Sequence, residues 1–162
     1  MKFCVVVANA TRARFFSLKD SEIPQVEAGP SLIEHGEVTD PQLTQKAHDL
    51  WSERSGRNRS SSGGRSHGYD DHRDQHTAEM ERRFVQSVAE RGARFAKKEQ
   101  ATTVLVVGNN RQLPVLSETL GGLLRGQVKV EGYPKDLAKL AAPALHDHLA
   151  KEGLLPKRRA GI

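Results

Sequence analysis

Apolar and polar positions divide the chain into stretches of different period. Phe3 to Ala8 is an unbroken apolar, β-branched run, the pattern of a strand buried on both faces. Asn9-Ala10-Thr11 then predicts a turn, and Arg12 to Leu18 sets Ala13 and Phe15 against Arg12 and Arg14, as expected of a half-buried hairpin partner. Ile23 to Glu27 and Leu32 to Val38 are weaker strand candidates, punctuated by Pro24, Gly29 and Pro30, so the first part reads as an antiparallel meander. A short helix is expected over 42 to 51, with Leu43, Ala47 and Leu50 on one side and Trp51 at its end.

From Met80 the period becomes helical. Met80, Phe84, Val88, Arg91 and Phe95, flanked by Val85, Ala89, Gly92 and Ala96, predict a long amphipathic helix over roughly 75 to 99. Thr102 to Val107 is a second buried strand, stopped by Gly108-Asn109-Asn110. Pro114 opens a helix through Leu123, since proline is tolerated in a first turn. Gln127 to Tyr133 is a third strand closed by Pro134, and Leu137, Leu140, Leu145 and Leu149 mark a last helical region broken before Pro143. A meander followed by helix, strand, helix, strand and helix predicts an α/β domain with helices on the faces of a mixed sheet.

Between these stretches lies SERSGRNRSSSGGRSHGYDDHRDQHT, residues 52 to 77, with Tyr69 as its sole large apolar side chain. Such a composition offers little burial to offset the entropy of ordering a backbone, so a flexible loop is expected. Long loops inside compact domains are uncommon and tend to be functional or disordered. Its charge is sorted: Arg54, Arg57, Arg59 and Arg65 face only Glu53 up to Gly68, and Asp70, Asp71 and Asp74 follow. The basic half suits a polyanion.

At 162 residues the chain fits a single domain, expected over 1–153, with a basic tail at 154–162 that carries Lys157-Arg158-Arg159. The formal charge of +5 favours anionic partners without choosing among them. One cysteine, Cys4, excludes an intramolecular disulfide and any four-cysteine metal site, and its apolar setting predicts a small buried hydrophobe. Six apolar residues after Lys2 are too few for a signal-peptide core, and no stretch reaches a membrane span, so a cytoplasmic protein is expected.

Catalytic and metal chemistry finds little support in the residue pattern. His67, Asp70, Asp71, His72, Asp74 and His76 carry ligating atoms without a recognised ligand spacing, and a solvated charge cluster is expected. His146 and His148, two apart on a helix, do not share a face. Gly121-Gly122 follows a helix rather than a strand, so it is no phosphate-binding fingerprint. Ribonuclease-like chemistry needs carboxylates near the central strand to hold two metal ions, and the first strand has none. No cofactor and no metal are expected.

FCVVVANATRARFF, the central segment through HTAEMERRF, TVLVVGNNRQLPVL and VEGYPKDLAKL together resemble, in order and spacing, the bacterial host-attachment protein family, described as required for attachment to host cells. That family in turn is similar to the central domain of archaeal and eukaryotic class I peptide release factors. The resemblance implies a ribonuclease-H-like α/β topology and a basic loop ahead of a long helix. In the release factors this loop carries Gly-Gly-Gln into the peptidyl-transferase centre; here Gly63-Gly64-Arg65 stands at the corresponding place. Arginine binds phosphate well but does not reproduce the glutamine's geometry. The expectation is therefore a non-enzymatic protein that binds ribosomal or transfer RNA through Arg54, Arg57, Arg59, Gly63, Gly64 and Arg65. Support of host attachment through a surface or protein partner is the alternative, and a divergent peptidyl-tRNA or ester hydrolase the second alternative.

Overall fold

The computed structural model describes residues 2–23, 25–41 and 67–159, and for 67–74 the backbone alone. Five strands form one mixed sheet: β1 (Phe3–Ala8), β2 (Arg12–Lys19), β3 (Ser31–Thr39), β4 (Thr103–Gly108) and β5 (Lys129–Pro134). Their spatial order is β3-β2-β1-β4-β5. β1 pairs antiparallel with β2 and parallel with β4, β2 pairs antiparallel with β3, and β4 pairs parallel with β5. Three described helices, α1 (His67–Lys98), α2 (Leu113–Leu123) and α3 (Ala142–Lys151), complete the mixed α/β architecture.

The period of two along the central strands explains the layering. Cys4 and Val6 of β1, with Val104 and Val106 of β4, point to the face covered by α1 and α2, where Phe84, Val88, Leu116 and Leu120 are buried. Val5 and Val7, with Leu105 and Val107, point to the opposite face, covered by Leu145 and Leu149 of α3 and by Leu137 and Leu155. Both phases of β1 and β4 are therefore apolar, and each fully buried Val or Leu contributes about 1.5–3 kcal/mol relative to exposure. Cys4 is buried, and burial foremost, then the nearby Glu99 charge, pushes its thiol up to about 12. It is an inert packing residue.

Several boundaries differ from the sequence expectation. Ile23 to Glu27 is a turn rather than a strand: the N–H groups of Val26 and Glu27 both donate to the Ile23 carbonyl, at 3.0 and 2.8 Å. Its two apolar residues, Ile23 and Val26, stay 49% and 61% exposed, so no burial rewards an extended conformation. α1 starts at His67, well before the expected 75, so the acidic end of the expected loop is helical. Leu137 and Leu140 lie in a turn before α3, which opens with Pro143 in its first turn. Nor is β2 half-buried: Arg14, placed by alternation on the polar side, is 6% exposed. The helix expected over 42 to 51, Trp51 and residues 52 to 66 lie outside the described residues.

Opposite Phe15 and Phe16 the β2–β3 register shifts, with Phe15 against Gly36 and Phe16 against Glu34, so His35 is the extra residue of a β-bulge. Gly36 has φ +139°, and a Cβ there would sit 2.8 Å from Arg91 Nη2. Only glycine meets both demands.

Candidate functional site

The parallel strands β1 and β4 end side by side, and each ends at an asparagine. Asn9 Oδ1 accepts the N–H groups of Thr11 and Arg12 at 3.0 and 2.8 Å, and Asn109 Oδ1 accepts those of Arg111 and Gln112 at 3.1 and 3.0 Å. These paired turns send the chain in opposite directions across the sheet: β1 returns as β2 on one side, and β4 continues through α2 to β5 on the other. In open α/β sheets the crevice at such a reversal, outside the carboxyl ends of the strands, is where ligands bind.

The chain leaves β3 at the same edge, and α1 passes it. β3 ends with Thr39 opposite Arg12, and the Asp40 N–H reaches the Thr11 carbonyl at 3.2 Å. α1 leads through Ala101 into the start of β4, where the Thr102 N–H bonds the Lys2 carbonyl at 2.8 Å, so the helix runs back toward the far edge and passes the ends of β1 and β4. Its 32 residues span about 48 Å against about 20 Å for the six of β4, so the first turns overhang the sheet. Met80 is the first buried side chain described along this helix, and Arg111 bonds Glu81 at 2.9 Å, clasping the start of α2 to α1.

Arg54, Arg57, Arg59, Gly63, Gly64 and Arg65 lie outside the described residues. His67, Asp70, Asp71, His72 and Asp74 belong to the first turns of α1, and His76 is exposed on it. Among the described residues no three His, Cys, Asp or Glu side chains are grouped to hold a metal ion, and no helix is long and apolar enough to cross a membrane.

The two arginines of β2 are structurally committed. Arg14 donates from Nε and Nη2 to the two carboxylate oxygens of Glu34 at 3.0 and 2.7 Å, and from Nη1 to the carbonyls of Ala138 and Leu140 at 3.0 and 2.6 Å. Its guanidinium also lies 4.8 Å from the Phe16 ring centroid. Hydrogen bonding to Arg14 holds the Glu34 carboxyl below its ordinary range, and Glu34 in turn raises Arg14. Arg12 pairs with Glu37 across the same two strands.

Two features, one at this edge and one at the opposite edge of the sheet, carried no sequence signal. Gln112, just before α2, is buried, its Oε1 without a partner among the described residues, close to the Asn109 turn. Ser17 Oγ lies 2.7 Å from His35 Nε2, and the His35 ring rests on Phe95 with centroids 5.0 Å apart. They border a cleft of about 420 Å³ lined also by Lys2, Lys19 and Glu99. Among the described residues no third group holds the other ring nitrogen of His35, so the pair lacks the orienting partner of a nucleophilic triad and acts as a cross-strand tie at the bulge. His146 and His148 are separated as expected: the first is buried with its Nε2–H donating to the Pro156 carbonyl at 2.8 Å, and the second meets Tyr133 Oη at 3.1 Å.

A comparison with curated proteins found no match. A family model described as "Protein required for attachment to host cells" matches residues 4–149, a stretch that runs from β1 into α3 and takes in both asparagine turns and the basic segment between β3 and α1. With nine-tenths of its length inside that match, the chain belongs to this host-attachment family.

Proposed function

We propose that this protein is a non-enzymatic, cytoplasmic binding protein whose basic segment, through Arg54, Arg57, Arg59 and Arg65, engages the phosphates of ribosomal or transfer RNA. The carrying observation is charge sorting: four arginines against one carboxylate between Glu53 and Gly68, in a segment that follows β3 and precedes α1. Arginine supplies a fixed charge and a planar fork of donors that fits phosphate bidentately. Gly63-Gly64 leaves the backbone before Arg65 free to approach a polyanion closely.

The strand order, an antiparallel β1-β2-β3 meander on one side of the sheet and two strands parallel to β1 on the other, supports a ribonuclease-H-like reading and with it the likeness to the release-factor central domain. On that reading the segment occupies the place of the Gly-Gly-Gln loop, with arginine where water positioning needs glutamine. Sedimentation of the purified protein with ribosomes through a sucrose cushion tests the proposal. The wild type is expected in the pellet at low salt and the variant with all four arginines changed to alanine in the supernatant. Equal recovery of both would contradict it.

The family description favours a second reading, in which the protein supports attachment to a host through a surface or protein partner. Labelling of intact cells with a membrane-impermeant reagent separates the two: modification of this protein before lysis would favour the attachment role.

A further inference from the structure

We infer that Lys157, Arg158 and Arg159 form a second, preorganised phosphate-binding surface, beside the start of β3, and that a long single-stranded RNA engages it. The inference rests on the RNA-binding reading and extends it to residues outside the family match, which ends at 149.

The sequence presents these residues as a basic tail, but the structure fastens them down. After α3 the Leu154 N–H bonds the Leu149 carbonyl at 2.9 Å, and Leu155 is 5% exposed in the core beneath α3. The Pro156 carbonyl accepts the Nε2–H of buried His146. Arg159 then pairs with Gly29 as an antiparallel bridge, its N–H donating to the Gly29 carbonyl at 2.8 Å and its carbonyl accepting the Gly29 N–H at 2.9 Å. Anchors on both sides therefore hold three consecutive cations within about 8 Å of backbone. Their backbone entropy is spent in folding rather than in binding, which favours affinity.

The side chains themselves have no partner among the described residues. All three residues are exposed, and among the described residues no carboxylate pairs with any of them, whereas Arg12, Arg14, Arg82, Arg83 and Arg111 are all paired. They border an open cleft of about 1120 Å³ whose other wall carries Asp20, Ser21 and Glu27, with Glu27 accepting the Ser21 hydroxyl at 3.2 Å. Those carboxylates repel phosphate from their wall and leave it the cationic one. β3, nine residues long, sets this rim about 30 Å from the edge where β3 ends at Thr39. One flexible strand reaching both surfaces gains from effective concentration as well as from each contact.

The test is fluorescence anisotropy of a labelled single-stranded RNA, long enough to span both surfaces, titrated with the full chain over a series of salt concentrations. Lys157→Ala, Arg158→Ala and Arg159→Ala together are expected to lower the slope of log affinity against log salt by about 2, at about 0.7 per lost contact. Arg94→Ala, Lys97→Ala and Lys98→Ala, an equal loss of charge from the exposed end of α1, are expected to leave the slope unchanged. An unaltered slope in the first variant, beside a lowered one when the four loop arginines are removed, overturns this inference and leaves the RNA reading standing. Equal losses in both triple variants overturn it in favour of general charge. Polyglutamate displacing the RNA from the wild type as well as unlabelled RNA does overturns it in favour of an acidic polypeptide. A wild type that binds no RNA overturns both the inference and the reading beneath it.

Discussion

Arg14 holds a full positive charge at 6% exposure, and its surroundings explain why it stays there. Two bonds to Glu34 and two to the carbonyls of Ala138 and Leu140 satisfy four of its five donors and tie β2 to β3 and to the turn before α3. Arg14→Met keeps much of the apolar stem but strips those partners, leaving two carbonyls short of a donor. The expected loss, read from chemical denaturation, is about 2–3 kcal/mol, below the usual range for a broken buried pair because Glu34 is one-third exposed. The variant should also change the acid limb of the stability curve. The folded-state pKa of Glu34 is depressed, so its contribution is fully present above the unfolded carboxylate value, about 4.3, and is lost as pH falls through the folded value. Arg14→Met should therefore flatten the loss of stability below about pH 4.3. An acid limb identical to that of the wild type would show that the pair contributes nothing in solution. None of this was legible in the chain, where Arg14 sits on the polar phase of a hairpin and its carbonyl partners lie more than a hundred residues away.

At the scale of elements, legibility followed burial. β1 and β4 were readable because continuous β-branched runs have few other uses, and α1 was readable from Met80 onward because apolar residues there repeat with a helical period. The first turns of α1 lack such residues, so the period disappears although the helix does not. Ile23 and Val26 misled in the other direction, being apolar but largely exposed. The segment after α3 was read from its charges alone, although Leu155 anchors it in the core. Glycine in a helix carries its own prediction. Gly121 lies inside α2 with nothing within 4 Å of where a Cβ would stand, so Gly121→Ala gains helix propensity without a clash. Thermal unfolding should show a gain of about 0.5–1 kcal/mol. A loss would mean that this face of α2 is covered in solution.

For the whole molecule, an α/β core carries a basic segment between β3 and α1, both of which run to the carboxyl edge of the parallel strands. The edge itself could not be read from the sequence, since it arises only when β1 and β4, about a hundred residues apart, lie parallel and end together. The arginines could be read, because charge sorting is a local property. The chemistry of the basic segment should stop at binding. Ester hydrolysis requires an oriented water and donors placed for the oxyanion, and Arg65 after Gly63-Gly64 supplies a cation that seeks phosphate instead. In a single-turnover assay on purified ribosomes loaded with peptidyl-tRNA, release should match that of buffer. Release well above buffer that disappears in Gly64→Ala would make the protein a hydrolase. The most direct test of the central claim is the salt dependence of RNA affinity for the wild type and for the variant with Arg54, Arg57, Arg59 and Arg65 all changed to alanine. The account predicts that the wild type binds and that the variant's slope of log affinity against log salt is shallower by up to about 2.8, at about 0.7 per lost contact; an identical slope, or no binding by the wild type, would contradict it.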